Sequence, residues 1–571
     1  MNKPLPMSLH EMKELGWENL DVLLVSGDAY VDHPSFGIAV IGRILLAEGY
    51  RVGVIAQPDL SDPHSFSVMG RPLLFAGVSS GNMDSMVNHY TSLGRIRSND
   101  AYTEGGRAGK RPDRAVLRYT NCIQRVFKGL PVVLGGIEAS LRRVTHYDFW
   151  SNRLKKSILL DSKATILVYG MGEKQIVEIA GRLASGETLS GIPGTAVAVH
   201  TDSFAAEQDD VELPSHEELL DDSALIVKLT RLMEENQNPW SGSRLLQRAD
   251  NRTVVIEPPA PPVTPAELDR VYELPYSRMP HPSYTGEIPA YTMIRDSVTV
   301  VRGCSGGCSF CAIGLHQGKY PVSRTGESVL RELHRVTEVP GFRGIISDLG
   351  GPTANLYGLG CTSPDACRKC SRPSCLFPDI CGLFSTDHSS YTDLLDSAER
   401  VPGVRKVFIS SGIRHDLALR DPAFVKRLAV RNISGHLRIA PEHTHQRILS
   451  LMRKPGRDVW RQFSEMFKAE GGSSGEERYI MPYIIAAFPG CTIGDMQAAR
   501  SFILEQGPLP RQIQIFLPTP MTPATAMYYS GRSYEDLEPL RIPRQPSEKQ
   551  KQKETVLGGS HPRKAVDRRT R

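Results

Sequence analysis

From residue 297 onward the chain repeats one unit six times: a short apolar run of strand length, then a segment with helical spacing. The runs are SVTVVR (297–302), GIISDL (344–349), KVFISS (406–411), HLRIA (436–440), YIMPYIIA (479–486) and QIQIFL (512–517). Helical patterns near 325–338, 390–400, 422–431, 444–452, 459–470 and 493–506 fall between them. Strands linked through helices run parallel, because only a long crossover returns the chain to the same end of a sheet. Six units are too few for a closed eight-stranded barrel, so the pattern predicts a partial (β/α)6 TIM-like barrel over 291–530. Working groups are expected at the carboxyl ends of its strands.

Cys304, Cys308 and Cys311 stand directly after the first of those strands, in VRGCSGGCSFCAI (301–313), with His316 the nearest further donor. A closed zinc site takes four ligands. Three thiolates can hold three irons of a [4Fe–4S] cube and leave the fourth iron open to another molecule. A zinc knuckle is the alternative.

The C-x3-C-x2-C spacing, with Phe310 before the last cysteine, resembles the radical S-adenosylmethionine (SAM) superfamily. That resemblance implies that SAM binds the open iron through its amine and carboxylate. A low-potential electron then cleaves it to a 5′-deoxyadenosyl radical, within the range cysteine-held clusters reach, down to about −700 mV. SDLGGPTANLYG (347–358) is similar to the superfamily's glycine pair for the SAM amine, with Gly350 and Gly351 in register and Pro352 where an acidic residue is usual. By position in the repeat, the resemblance implies SAM contacts at Ser411, Gly412, Glu442 and Gly490. The stretches 437–455, 484–492 and 516–528 are similar to the barrels of MiaB-type methylthiotransferases and Elongator-type radical enzymes. A closer resemblance covers most of the chain. SGDAYVDHPSFG, GGIEASLRR, YGMGEKQIVEIA, YSRMPHPSY, RGCSGGCSFCAIGLHQGKYPVSR and APEHT together look like the YgiQ family of radical SAM proteins. Members generally continue beyond the barrel, whereas this chain ends soon after PLRIPRQPSEKQ. The implied activity is reductive SAM cleavage and hydrogen abstraction from an unidentified substrate, with a low-potential electron donor such as flavodoxin or ferredoxin.

Residues 1–200 alternate strands and helices (DVLLVSG, FGIAVIGRILLAEGY, RVGVIAQ, LLFAGVSS, PVVLGG, ATILVYG), which predicts a doubly wound Rossmann-like sheet. Its order of elements resembles the cobalamin-binding-like domain that precedes many radical SAM barrels. The Asp-x-His-x-x-Gly ligation pattern is missing, Asp32 and His33 being adjacent, so His33 reads as a turn residue and no cobalamin is expected. Residues 95–115 read as a polar, basic loop. Residues 201–290 read as an acidic helical segment followed by a Pro-rich connector that lies against a surface.

An insert over 355–388 holds Cys361, Cys367, Cys370, Cys375 and Cys381. Four thiolates could close a zinc site or an auxiliary iron–sulfur cluster; a redox or disulfide role is the third reading. Cys122 and Cys491 read as packed core thiols.

The net charge of +5 is misleading. Residues 541–571 carry about +7, so the body is near −2 and offers no electrostatic case for nucleic acid. The segment 531–571 reads as a disordered basic tail. No apolar run is long enough to span a bilayer and the amino terminus has no signal-peptide pattern, which predicts a cytoplasmic protein whose clustered cysteines bind metal. Two alternatives stand beside the leading one: a tRNA-modifying methylthiotransferase, and a non-catalytic zinc or iron–sulfur module.

Overall fold

The computed structural model describes residues 3–471 and 478–558. Its amino-terminal half is built on nine strands: β1 (Val22–Ser26), β2 (Val52–Ala56), β3 (Phe75–Ser79), β4 (Val132–Leu134), β5 (Ile166–Val168), β6 (Thr195–His200), β7 (Val211–Glu212), β8 (Leu245–Ala249) and β9 (Arg252–Ile256). They form one sheet in the order β2-β1-β3-β4-β5-β6-β9-β8-β7. The first five are parallel, a doubly wound arrangement with its reversal of strand order beside β1 and β3. All five residues of β1 are buried, as a strand covered on both faces requires. Beyond β5 the sheet continues with antiparallel β6, β9 and β8.

That continuation changes the expected organisation. Helices His216–Asp221 and Leu225–Glu235 are present as read. Residues 245–256, however, form a hairpin that extends the sheet past residue 200. Its signal is the alternation in LLQRADNRTVVI around a tight turn, where Asp250 takes φ +51°. The Pro-rich connector contains a helix, Pro265–Glu273, started by a Thr264/Glu267 capping box, and it buries Leu268, Val271 and Tyr272 against the body. The polar loop 95–115 is pinned from within: Arg111 is fully buried, 2.7 Å from Asp28 and 3.2 Å from Asp100.

The carboxyl-terminal half is the expected partial barrel, with β10 (Ser297–Thr299), β11 (Asp348–Gly350), β12 (Lys406–Val407), β13 (His436–Glu442), β14 (Tyr479–Ala486) and β15 (Gln514–Ile515). Neighbours are parallel and follow chain order. Ser297 pairs with Asp348, Ile345 with Lys406, His436 with Tyr479 and Ile485 with Gln514. Between β12 and β13 the link is looser: the isolated bridge Ile413–Ile439 joins the segment after β12 to β13. The chain is mixed α/β, a doubly wound sheet followed by a six-unit barrel.

The expected disordered tail is corrected over its described part. Pro546–Leu557 is a helix that buries Lys549, Gln552 and Val556. Gln552 accepts from the Ala487 N–H (2.9 Å) and donates to the Cys491 carbonyl (3.1 Å), closing backbone groups at the end of β14. Two of the three buried side chains are polar, so a search for apolar periodicity misses this helix. The remainder, 559–571, lies outside the described residues.

Candidate active site

The loop after β10 is shaped by backbone that glycine alone tolerates. Gly303 (φ +83°) would place a Cβ 2.6 Å from the Tyr320 carbonyl oxygen, and Gly307 (φ +59°) one 2.6 Å from the Ser374 Cβ. The loop is tied down from several sides. The Ser309 N–H donates to the Met452 carbonyl, the Ser309 hydroxyl to Leu451, and the Ala524 N–H to the Ser309 carbonyl. Cys304 and Cys308 turn to one side: a Cβ on Gly306 would stand 3.3 Å from one sulfur and 3.7 Å from the other. The three cysteines are half-buried. Burial and the neighbouring thiols push Cys311 up to about 12, and burial raises Cys304 as well. Protons are thus held tightly until a metal displaces them. Phe310 meets Phe488 edge-on, ring centres 6.3 Å apart.

Charge is supplied by residues the sequence reading missed. Arg414 is buried, forms a two-pronged ion pair with Asp416, and directs Nη1 to Cys308 Sγ at 3.7 Å. Its charge holds the Asp416 carboxyl well below the usual carboxylate range despite burial. Thr353 Oγ1 is 3.7 Å from Cys304 Sγ. Lys454 is buried close enough to Glu442 to draw its carboxyl down against the burial that raises it. Glu442 takes φ +67°, a left-handed conformation rare outside glycine, at a register break in β13. The available sequence signal was position: Arg414 and Asp416 follow β12, and Lys454 ends the helix after β13.

The other expected positions separate into two groups. Gly350 and Gly351 lie at the carboxyl end of β11, where strands approach closely. A Cβ on Gly350 would meet Ser411 Oγ at 2.5 Å, and one on Gly351 the Val301 carbonyl oxygen at 2.5 Å. Ser411 hydrogen-bonds Asp348 through both N–H and hydroxyl, and the Gly412 carbonyl accepts from Ala354. Gly490 is apart from them. It sits in a turn (φ +85°) whose carbonyl accepts from Arg447, and a Cβ there would press on Arg447, Leu451 and Leu540.

A cavity of about 520 Å³ lies between the two halves. From the sheet it is lined by strand residues such as Leu24, Gly77 and Val133, and by Gly81, Gly135, Gly136, Gly170 and Gly172 just beyond the ends of β3, β4 and β5. From the barrel come Thr299, Arg302, His316, Gly351 and Pro352. Ligands of open parallel sheets bind at these carboxyl ends, next to the switch in strand order. Several of the glycines are sterically required. A Cβ on Gly77 would come 2.8 Å from Leu24 Cδ2, one on Gly172 2.9 Å from Val168 Cγ1, and Gly136 takes φ +80°. Arg302 is neutralised by its ion pair with Glu173, so the lining is apolar with few charges. His316 hydrogen-bonds Ser140 Oγ at 3.0 Å across the two halves, and burial pushes it down to about 4, which keeps it neutral. It therefore stands in the cavity wall.

His33 is the expected turn residue: its Nδ1 accepts from the Ser35 N–H, and it does not line the cavity. Cys491 is fully buried beside His443 Nε2 (3.5 Å), and Cys122 is half-buried against the core. The second cysteine group lies on a loop with one short helix, Pro364–Arg368, and packs on the first: the Cys375 N–H donates to Ser305 and the Ser374 hydroxyl to Gly306. Among the described residues no three Cys, His, Asp or Glu side chains already stand as a group that could hold a metal ion. What the chain supplies at 304–311 is a pair of thiols on one side of the loop, Cys304 and Cys308, a third on Cys311, and a cationic donor at one sulfur. That donor set fits an iron–sulfur cluster with one iron left open.

Comparisons with known proteins agree with this architecture. The Radical SAM N-terminal family model matches residues 4–297. A UPF0313 protein of Shewanella oneidensis is 45% identical, over 92% of this chain and 75% of its own. The UPF0313 protein PA4928 of Pseudomonas aeruginosa is 44% identical over 93% and 79%. A UPF0313 protein of Methanocella arvoryzae is 44% identical over 95% and 91%. Among solved structures, the radical SAM methyltransferase TsrM from Kitasatospora setae, with cobalamin and a [4Fe–4S] cluster bound, superposes with a TM-score of 0.52 at 16% identity, covering 93% of this chain and 84% of that one. The same enzyme with tryptophan and a SAM analogue gives 0.51 over 89% and 74%. No described helix is long and apolar enough to cross a membrane. With the cysteine loop, the barrel and relatives of this similarity in agreement, the chain belongs to the UPF0313 (YgiQ) family and is a radical SAM enzyme.

Proposed function

We propose that the protein cleaves SAM reductively at a [4Fe–4S] cluster held by Cys304, Cys308 and Cys311, and abstracts hydrogen from a substrate admitted through the cavity between sheet and barrel. The cluster supplies one low-potential electron, delivered in the cytoplasm by a flavodoxin- or ferredoxin-type donor. The carrying observation is that the three thiols sit on the loop after β10, and the chain following them (Ile313, His316) and Gly351 at the end of β11 both form the cavity wall. In this reading Gly350 and Gly351 let the amine end of SAM approach the backbone, Lys454 and Glu442 orient its polar groups, and Arg414 sets the field at Cys308. Anaerobically reconstituted protein with about four irons per chain should convert SAM to 5′-deoxyadenosine when given dithionite or titanium(III) citrate. A full cluster with no cleavage overturns the reading.

The cavity favours a second element. Its lining is largely apolar, with glycines at the ends of three strands of the sheet. Such a lining suits a broad, largely uncharged ligand such as the cobalamin bound to TsrM. This revises the expectation drawn from the missing Asp-x-His-x-x-Gly pattern. That pattern governs an axial imidazole, whereas the lining selects by polarity. Protein produced with cobalamin supplied should retain cobalt near one per chain and show a corrinoid absorption spectrum, and Gly77→Leu should lose both while keeping its iron. Wild-type protein that retains no cobalt refutes this element and leaves the SAM chemistry standing.

A further inference from the structure

Nine arginines are buried among the described residues, and eight of them stand within ion-pair distance of an aspartate or glutamate. Arg143 is the exception. It is 4% exposed, its Nη1 donates to the Ser140 carbonyl at 2.6 Å, and its guanidinium carbon lies 4.4 Å from the centre of the Tyr169 ring. Its Nε is buried without a partner. Burial pushes its pKa down to about 10, so the group is still charged at neutral pH. A guanidinium is almost never buried unpaired, because leaving water is costly without an anion beside it.

Arg143 lines a side cavity of about 120 Å³ that adjoins the main one: Gly170, Met171, Arg302, His316 and Gln317 belong to the walls of both. Four cations line the side cavity, Arg143, Lys174, Arg302 and Lys319, and no aspartate or glutamate does. Lys174 is paired with Glu267 at 2.8 Å and Arg302 with Glu173. Lys319 donates to the Arg372 carbonyl at 2.9 Å, and no carboxylate among the described residues forms an ion pair with it. Tyr320, on the same lining, has a buried hydroxyl without a partner. The side cavity thus carries two uncompensated positive charges, whereas the main cavity is apolar with its one ion pair neutralised internally.

We propose that the side cavity is a phosphate subsite: the substrate is a phosphate ester whose phosphate pairs with Arg143 while its remainder extends past His316 into the main cavity. This rests on the reading of that cavity as the place where SAM chemistry meets substrate. Two cations call for a dianion, and guanidinium groups are matched to phosphate oxygens in geometry as well as charge. A carboxylate would leave one cation unmatched. The phosphodiester of cobalamin is a second source of the same chemistry, and the test separates the two.

Thermal unfolding of the anaerobic full-length protein tests this, at constant ionic strength, with inorganic phosphate as the probe against acetate and chloride. Phosphate should raise the wild-type midpoint saturably and acetate should raise it less, as expected for an anion that binds the native state alone. Titration calorimetry should show phosphate binding weakened at least about tenfold in Arg143→Met, with Arg143→Lys in between. Without phosphate, Arg143→Met should melt no lower than the wild type, since the substitution removes an unpaired buried charge rather than an ion pair. A lower midpoint would make Arg143 a structural residue held by Ser140 and Tyr169, and would overturn the assignment. An equal response to the three anions, or a phosphate response retained in Arg143→Met, overturns it too. Produced with cobalamin supplied, Arg143→Met should hold as much cobalt as the wild type; a loss of cobalt would give the phosphate site to the corrinoid and refute the substrate assignment. None of these readouts needs SAM turnover, so a failure of SAM cleavage and a failure of the subsite are told apart.

Discussion

The two cysteine loops touch each other yet are built in opposite ways. The 304–311 loop is fixed by hydrogen bonds from the helices after β13 and β15, and has a buried Arg414–Asp416 pair at one sulfur. The 361–381 loop turns most of its surface to water and is fixed by hydrogen bonds to main-chain carbonyls, from Asn238, Lys319 and Arg372 side chains among others. Reactive chemistry needs a sheltered, incomplete ligand set with charges placed around it.

The harshest way to break this contrast is to remove one thiol of the first loop. Cys308→Ala should lose most of the iron and lower 5′-deoxyadenosine formation at least about a thousandfold, equivalent to about 4 kcal/mol of barrier, while amide exchange over 361–381 stays at the wild-type level. Equal loosening of both loops would show that they order as one unit.

Next in size is the charge at that thiol. Arg414→Met leaves Asp416 buried without its partner, a destabilisation of about 3–5 kcal/mol, visible as a lower denaturant midpoint. Arg414→Met/Asp416→Leu should recover most of that stability. Its cluster, having lost a cationic donor to Cys308, should be harder to reduce in an electron paramagnetic resonance titration. A double variant with an unchanged potential would confine Arg414 to folding.

Much of this was legible in the chain. Six apolar runs at strand length fixed the barrel, and the spacing of Cys304, Cys308 and Cys311 directly after the first run marked the site, because periodicity and ligand spacing are local properties. Arg414, Thr353 and Lys454 were not legible: each owes its role to a partner far away in sequence, as Arg414 does to Cys308. Gly490 had the turn expected of it, yet its neighbours, Arg447 and Leu540, belong to other elements. The helix 546–557 was hidden because Gln552 and Lys549 are buried for their hydrogen bonds.

Acid offers a milder test. His415, beside Arg414, is pushed down to about 3 by burial, and His443, behind β13, to about 4. In the unfolded chain both take up a proton near pH 6.5. Above that pH their contribution to stability is complete. As pH falls from 6.5 toward 4 the unfolded state gains protons that the folded state refuses, so stability drops by up to about 1.4 kcal/mol per pH unit for each histidine. Urea midpoints at pH 8, 6.5, 5 and 4 should trace this decline, and His415→Leu should flatten it. An unchanged slope in that variant would mean that His415 is not kept neutral by the fold.

The smallest expected effect isolates the outer loop. Asn238→Ala withdraws the donor shared by the carbonyls of Cys367, Arg368 and Cys370, a loss of about 0.5–1.5 kcal/mol for hydrogen bonds at part-buried acceptors. Because the hydrogen bonds of Asn238 among the described residues go to 367–370, Trp240 and Gly242 and not to the 304–311 loop, the loss should appear locally, as faster amide exchange over 361–381. Iron content and the cluster signal should stay at wild-type values. If the iron were lost as the outer loop loosened, the contacts of Ser374 and Cys375 with Ser305 and Gly306 would have to carry far more than bracing, and the two loops would be one cooperative unit.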